Sequence, residues 1–305
     1  MKKRLRIGSR GSKLAVIQAE SIRDQLALLN PKIDFEMVTV STTGDQNTTV
    51  SLEQLGGEGV FVKELEDALL REEIDIAVHS LKDMLSTIPE GLRLAAVPQR
   101  VDPRDIIISK IGKLEELPNG SKIGTGSQRR AVQILALRPD LEICGLRGNI
   151  DTRIKKAFSD GLDGIIMAAA ALIRLEMQGK ITEYLSSEDF IPAVGQGALG
   201  VEIRADDADT YEIVVPLNHE LTWQSVVAER AFLRALGGGC RAPIAALGTV
   251  EDGTLRLNGI VSDPEGNKIL RASVEGSTLN PEEIGEELAS KMIKLGAAFL
   301  IEKSQ

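Results

Sequence analysis

The sequence is short of the residues that build metal sites, disulfide scaffolds and nucleic-acid platforms. Its 305 residues include two cysteines, Cys144 and Cys240, and two histidines. Two cysteines are too few for a disulfide framework, and neither an H-E-x-x-H segment nor a paired C-x-x-C motif is present to hold a metal. Aromatic residues make up only 3% of the chain, which leaves few rings for base stacking. We therefore expect no metal, no nucleic-acid partner and an aliphatic core.

Excess positive charge and long apolar runs are also missing. The formal net charge is −9 and the pI is about 5.0, so no overall basic field attracts nucleic acid or an anionic membrane surface. No apolar run reaches the roughly 18 residues that a membrane span needs. The start, Met1 to Arg4, leads into a short strand pattern rather than a secretory signal. These features predict a cytoplasmic protein without a membrane partner, in which any basic site is local.

The order of the predicted elements indicates an α/β fold with several domains. Short β-branched runs alternate with longer amphipathic segments, which is typical of sheets covered by helices on both faces. Two prolines and alternating charges between Pro98 and Asp105 predict a hinge, and the apolar segment Ala198 to Ile203 predicts a strand that returns to the first sheet. We expect a first lobe of residues 1–98 with 199–216, a second lobe of residues 104–194, and a smaller α+β domain of residues 217–305.

The last element of the chain is predicted to be one helix. Asn280 provides an N-cap, Pro281 suits the first helical position, and Glu283 completes a capping box. The spacing of five apolar residues predicts a single buried face that runs to the end of the helix. These residues are Ile284, Leu288, Met292, Leu295 and Phe299.

Basic residues recur where a predicted strand gives way to a helix. In open α/β sheets, ligands lie beyond the carboxyl ends of strands, where free backbone N–H groups and arginine side chains bind carboxylates or phosphates. The pattern favours a polyanionic ligand, although ordinary turns and surface ion pairs with the surplus acids are the alternative. The junctions are Ser9-Arg-Gly-Ser12, Gly124-Thr-Gly-Ser-Gln-Arg-Arg130 and Leu146-Arg-Gly-Asn-Ile-Asp-Thr-Arg153.

Two further segments contain groups that could take part in chemistry. Ala77-Val-His-Ser-Leu-Lys-Asp83 ends a buried strand with an acid that could stabilise a cation or transfer protons, but a capped turn is the simpler interpretation. Gly237-Gly-Gly-Cys-Arg-Ala-Pro243 places Cys240 on a glycine-rich loop that could bring the thiol into a cleft. The alternative is a small buried hydrophobe, and the absence of a Cys-His pair disfavours a protease.

Six motifs, in order along the whole chain, together resemble those of the porphobilinogen deaminase family, whose members are also called hydroxymethylbilane synthases. The resemblance implies two lobes with mixed sheets, similar to those of periplasmic binding proteins, and a third domain that carries a cofactor cysteine on a loop. The motifs are Ser9-Arg-Gly-Ser-Lys-Leu-Ala15, Val78-His-Ser-Leu-Lys-Asp83, Gly124-Thr-Gly-Ser-Gln-Arg-Arg130, Leu146-Arg-Gly-Asn149, Pro192-Ala-Val-Gly-Gln-Gly197 and Gly238-Gly-Cys240.

The resemblance also implies a reaction and a cofactor. In the family, a cysteine that corresponds to Cys240 holds a dipyrromethane through a thioether. Four porphobilinogen molecules are added to it head to tail with loss of ammonia, and water then releases hydroxymethylbilane. Asp83 matches the family's catalytic acid, which steadies cationic pyrrole nitrogens and assists proton transfer. The chain is accordingly expected to be a monomeric transferase of tetrapyrrole, and hence porphyrin and haem, biosynthesis.

The other site residues follow from the same resemblance. They are expected to bind the acetate and propionate groups of the cofactor and of the growing chain. Beside the anchor Cys240, the cofactor-binding positions correspond to Lys82, Asp83, Thr125, Ser127, Arg129, Arg130, Arg147 and Gly148. The substrate-binding positions correspond to Arg10, Ser12, Gln18, Arg147, Arg153, Arg174 and Gln196.

Two positions depart from the family's usual pattern. Glu58 stands where a lysine is usual, in a glycine-rich segment from Thr42 to Gly59 that is predicted to form a mobile flap. Leu85 stands where a proline commonly follows the catalytic aspartate, which loosens the predicted turn. The alternative function is that of a non-catalytic, two-lobed solute-binding protein for a polycarboxylate. Such a protein would normally carry an export signal and has no use for a glycine-flanked cysteine.

Overall fold

The computed structural model describes residues 3–41, 62–159, 161–237 and 242–303. Cys240, Glu58 and the predicted flap lie outside these residues. The chain divides into two compact units, Met1–Val101 with Ala198–Val226 (the N-terminal unit) and Asp102–Gly197 with Val227–Gln305 (the C-terminal unit). The division into three domains stays a prediction.

Strands and helices alternate through most of the described chain, as the sequence predicts. In chain order the strands are β1 (Arg4–Arg10), β2 (Asp34–Val40), β3 (Ile76–Ser80), β4 (Leu92–Ala96), β5 (Asp105–Ser109), β6 (Lys122–Gly124), β7 (Glu142–Cys144), β8 (Gly164–Ala168), β9 (Glu183–Tyr184), β10 (Leu199–Arg204), β11 (Ile244–Glu251), β12 (Thr254–Ser262) and β13 (Ile269–Ser277). The helices are α1 (Lys13–Leu29), α2 (Lys63–Leu70), α3 (Gln128–Leu137), α4 (Ile150–Ser159), α5 (Ala169–Arg174), α6 (Ala208–Val214), α7 (Glu220–Ala235), α8 (Pro281–Lys294) and α9 (Ala297–Glu302).

The N-terminal unit is built on a mixed five-stranded sheet with the order β2-β1-β3-β10-β4. Strand β1 is parallel to β2 and β3, whereas β10 is antiparallel to both β3 and β4. The prediction that the segment around residues 198–203 returns to the first sheet is confirmed. Strand β3 begins at Ile76, which pairs with Ile7 of β1.

Helix α1 covers one face of this sheet. Ser12 caps its N-terminus, since the hydroxyl accepts a hydrogen bond from the Ala15 backbone N–H at 3.4 Å. Ala19, Ile22 and Leu26, spaced by three and four residues, are fully buried in the same apolar cluster as residues of β1 and β10. The cap and this packing fix α1 directly after the end of β1.

The C-terminal unit contains a second mixed five-stranded sheet, with the order β7-β6-β8-β5-β9. Strand β6 is parallel to β7 and β8, and β5 is antiparallel to β8 and β9. Helix α5 is short, with only six residues. It stops at Arg174 because Glu176, with a φ of 57°, leaves the helical conformation.

The same unit holds an antiparallel sheet of β11, β12 and β13. The prediction of a single last helix is wrong: α8 ends at Lys294, and Gly296, with a φ of 102°, starts α9 in a new direction. Leu295 and Phe299 are therefore exposed, whereas Leu300 and Ile301 join the core. The capping box is wrong too, because the Asn280 side chain donates to Glu283 rather than accepting from the backbone. The predicted α/β class, with two mixed sheets and a small α+β part, is confirmed.

None of the helices in the described part of the chain is both long and apolar enough to span a bilayer.

Candidate functional site

Two neighbouring parallel strands of the N-terminal unit end at the same edge of their sheet. Strand β1 ends at Arg10 and β3 ends at Ser80. Since the carboxyl ends of parallel strands meet at one edge, residues that follow them lie close together. Gln18 of α1 is buried beside this edge, where its side-chain oxygen accepts a hydrogen bond from the Ser80 hydroxyl at 3.1 Å.

Asp83 lies at the end of a short 3₁₀ turn that follows β3 directly. Leu81 anchors this turn, because its side chain is buried and its backbone N–H donates to the Ala198 carbonyl. Lys82 is exposed, whereas Asp83 is half-buried. Arg10, Gln18, Ser80 and Asp83 line one small cavity of the N-terminal unit. A guanidinium that can bind a carboxylate thus shares a cavity with an acid that can face a cation.

A buried pair of ionisable groups adjoins this cavity and was not predicted from the sequence. His79, which also lines the cavity, has its Nε2 atom 2.9 Å from Oε2 of Glu202. Both side chains are at most 2% exposed, so this hydrogen bond lies in the interior of the N-terminal unit. His79 is thus a core histidine, and its partner is 123 residues away in the sequence.

In the C-terminal unit, the glycine-rich junction brings a strand end and a helix start together. Strand β6 ends at Gly124, and α3 begins at Gln128. Thr125 is buried, and its hydroxyl accepts a hydrogen bond from the Ser127 backbone N–H at 3.1 Å. Ser127 occupies the N-cap position, but its side chain makes no capping bond. Its hydroxyl and the first N–H groups of α3 are thus suited to an anion.

Arg129 and Arg130 are not free surface cations, because both bind Asp105 in the interior. Arg129 Nη1 lies 2.8 Å from Asp105 Oδ2, and Arg130 Nε lies 2.9 Å from Oδ1. The fully buried Gln196 donates from its amide to Asp105 Oδ1 at 3.0 Å and to the Pro103 carbonyl at 2.7 Å. Burial by itself raises the pKa of Asp105, but the charges of Arg129 and Arg130 outweigh it and lower that pKa to about 2.

Replacing Asp105 with asparagine is expected to destabilise the protein by about 3–5 kcal/mol, since two guanidinium groups would remain buried without a counter-charge. Urea unfolding at pH 7 measures the loss. As the folded pKa of Asp105 is lowered from 3.8 to about 2, its contribution is present above pH 3.8 and disappears as the pH falls through 2. Glu275→Gln is the control, because its partner Arg256 is exposed. Equal losses in both variants would contradict the assigned role of Asp105.

Three other arginines of the C-terminal unit form no ion pair with an acid among the described residues. Arg147 is exposed, and Arg153 Nε donates to the Gly148 carbonyl at 2.7 Å. Gly148 has a φ of 116°, a conformation that favours glycine. Burial, together with the nearby charges of Arg130 and Arg147, lowers the pKa of Arg153. Arg174 donates to the Gly197 carbonyl at 2.9 Å, and burial lowers its pKa to about 10.

The positive charges of Arg147, Arg153 and Arg174 fit a ligand that carries several carboxylates. Guanidinium groups that are partly desolvated and lack acidic partners gain most from a carboxylate, since each charge-assisted hydrogen bond there contributes about 1.5–3 kcal/mol. A dipyrromethane with acetate and propionate groups meets this requirement. Cys240, the predicted attachment point, is outside the described residues.

Two buried acids that organise the C-terminal unit escaped the sequence analysis. Asp105 precedes the apolar run Ile106 to Ile108, and an acid that opens such a buried strand is a usable signal for an internal ion pair. Glu229 is fully buried and accepts hydrogen bonds from the backbone N–H groups of Gly195 and Gly248, at 2.7 and 2.9 Å. It thereby fixes the segment that carries Gln196.

Comparison with known proteins agrees with the predicted resemblance. The family model described as porphobilinogen deaminase, dipyrromethane cofactor-binding domain, matches residues 5–212, and the model of the C-terminal domain matches residues 223–294. The porphobilinogen deaminase of Syntrophobacter fumaroxidans is 45% identical over 98% of this chain and 97% of that protein. That of Trichlorobacter lovleyi is 47% identical over 98% of this chain and 96% of that protein.

Among solved structures, the methionine-binding protein MetQ aligns with a TM-score of 0.44 and 16% identity, over 82% of this chain and 99% of that one. The family models and the curated relatives extend over nearly the whole sequence. The chain therefore belongs to the porphobilinogen deaminase family.

Proposed function

We propose that the chain is a porphobilinogen deaminase, a transferase of tetrapyrrole synthesis. It joins four porphobilinogen molecules head to tail on a dipyrromethane attached to Cys240, one ammonia leaves with each addition, and water releases hydroxymethylbilane. When bound, the dipyrromethane supplies the free pyrrole carbon to which the first unit is joined. Family membership over the full chain supports this proposal, and we further propose that the enzyme is a cytoplasmic monomer.

The observation that carries the proposal is the shared cavity of Arg10 and Asp83. Porphobilinogen has carboxylates for a guanidinium to bind, and it becomes cationic at the pyrrole when ammonia leaves. Arg10 can hold a carboxylate while the Asp83 carboxylate stabilises that cation and assists proton transfer. Ser12 and Gln18, at the start of α1, are proposed to orient the substrate at the same edge.

Residues of the C-terminal unit are proposed to hold the cofactor and the growing chain by their carboxylates. Arg129 and Arg130 retain donors for this role, since a guanidinium has about five N–H groups and Asp105 occupies only some of them. Gln196 is proposed to bind the substrate, and its hydrogen bond to Asp105 also holds that carboxylate in place. The proposed set in this unit is Thr125, Ser127, Arg129, Arg130, Arg147, Gly148, Arg153, Arg174 and Gln196, and Lys82 of the N-terminal unit is proposed to bind the cofactor as well.

The direct test is incubation of the purified protein with porphobilinogen. A deaminase consumes the substrate and releases four ammonia for each hydroxymethylbilane, and acidic Ehrlich reagent should colour the protein as a dipyrromethane before substrate is added. A solute-binding protein, the alternative, would bind porphobilinogen without consuming it. Binding without ammonia release would overturn the proposed activity.

Arg147→Ala is expected to lower kcat/KM about 10- to 100-fold, because about 1.5–3 kcal/mol of charge-assisted binding is lost. Intact mass spectrometry should also show enzyme stalled at an intermediate chain length. Arg147 is a cleaner test than Arg129, whose removal also breaks the buried network with Asp105. Arg256→Ala, on an exposed strand position, is the matched control. Parent-like kinetics for Arg147→Ala would reassign Arg147 to the solvated surface.

A further inference from the structure

Behind the cavity that contains Asp83, three titratable side chains come from three different elements. His79 lies on β3, Glu202 on β10 and Glu66 on α2, and all three are buried. The His79–Glu202 hydrogen bond uses one carboxylate oxygen of Glu202. The other, Oε1, is buried and has no hydrogen-bond partner among the described residues. A buried oxygen that accepts no hydrogen bond costs free energy. A protonated group next to Glu202 Oε1 would remove this cost.

Glu66 can supply that proton. Burial, followed by the charge of Glu202, raises the pKa of Glu66 to about 7, and the charge of His79 partly opposes this rise. The geometry agrees, because α2 packs against both β3, which carries His79, and β10, which carries Glu202. Its protonated carboxyl group is a donor, which is what the second oxygen of Glu202 lacks.

Other charged groups on the surrounding elements are engaged elsewhere or lie at the cavity itself. Arg204, two residues beyond Glu202, binds Asp75 and Asp207, and Arg6 of β1 binds the same Asp75. Arg93 of β4 stacks on Tyr211. On α2, Asp67 adds a small repulsion to Glu66. Helix α2 also carries Lys63 and Glu64, and Arg10 and Asp83 line the cavity itself.

We propose that Glu66, Glu202 and His79 form a buried proton-sharing cluster whose charge is felt in the cavity, so that Glu66 is a positioning residue that acts through His79. Loss of one proton from the cluster to solvent adds one negative charge behind Asp83, and this charge helps to stabilise a cationic pyrrole.

The link to catalysis rests on the proposed function, but proton sharing can be tested without porphobilinogen. The chain has only two histidines, so ¹⁵N-histidine NMR of the intact protein resolves His79 and His219. In the parent, the ring signals of His79 should change with a midpoint near pH 7, where Glu66 titrates. In Glu66→Gln, which mimics the protonated carboxyl, that change should vanish. The signals of His219 should be the same in Glu66→Gln as in the parent. The control Glu212→Gln, at an exposed position, should show the parent's His79 titration. The same His79 titration in Glu66→Gln and parent would overturn the cluster.

The catalytic role is tested by the pH profile of kcat for the cofactor-loaded enzyme. The parent should become faster as the pH rises through 7, whereas Glu66→Gln should lack this rise and stay several-fold slower at pH 8 but equal at pH 6. A parent-like profile in Glu66→Gln would overturn the role in catalysis. If the parent itself does not consume porphobilinogen, the proposed function fails, and the NMR titration still decides whether the cluster exists.

Discussion

Cys240→Ala is expected to abolish turnover of porphobilinogen completely, because the growing chain would have no covalent attachment point. The denatured parent protein should be heavier than its sequence by one dipyrromethane, and the variant should have the mass of the polypeptide alone. The effect is larger than that of any single carboxylate-binding residue, since a missing clamp weakens binding whereas a missing anchor removes the primer itself. Intact mass spectrometry and an ammonia assay measure both consequences.

Cys144→Ala is the matched control, because Cys144 is the other cysteine of the chain and is half-buried in β7. It should retain both the extra mass and turnover, apart from a modest loss of stability from the deleted thiol. A Cys240→Ala protein that still carried the adduct would disprove the assignment of the anchor. Loss of the adduct in Cys144→Ala alone would transfer that role to Cys144.

Asp83→Asn is expected to lower kcat by about 10²–10⁴-fold, the usual contribution of a positioned acid or base. The substitution keeps the shape of the side chain but removes the negative charge that faces the cation formed when ammonia leaves. The same residue must act at every addition, so each addition should be slowed by the substitution. Single-turnover and steady-state ammonia release measure the decrease.

Folding and cofactor attachment should survive this change. Asp83 forms no ion pair within the described part of the chain, so its replacement leaves no buried charge uncompensated. Supplied with preassembled cofactor, the variant should show the mass of one dipyrromethane and little activity. Asp83→Glu should keep part of the activity because the charge remains, and the exposed Asp24→Asn should behave like the parent. A loaded Asp83→Asn enzyme within a few-fold of parent turnover would leave Asp83 as a turn residue only.

Local sequence patterns were sufficient for most of the fold. The junction Ser9-Arg-Gly-Ser12 was predicted to lead from a strand into a helix, where α1 begins, and the return of residues near Ala198 to the first sheet followed from their apolar character. The last helix was mispredicted because its apolar spacing continued past Gly296. Spacing alone carries no information on a left-handed residue that redirects the chain.

The internal partners of the candidate site could not be read from the sequence in the same way. Arg129 and Arg130 have a local pattern that is equally compatible with anion binding and surface pairing, and only tertiary structure reveals that Asp105 lies between them. Likewise Glu202, on a strand far along the chain, gives no local sign that it binds His79. Such pairs depend on sheet order, which single-sequence periodicity does not encode.

The position of β10 between β3 and β4 has a consequence for synthesis on the ribosome. The chain emerges from its N-terminus, so β3 and β4 are made well before the strand that joins them, and His79 precedes its partner Glu202 by 123 residues. Until then, β3 and β4 each lack the neighbour that β10 provides. Such open strand edges are sites for aggregation or chaperone binding. The N-terminal unit thus completes its sheet only after residues 102–197 have been translated.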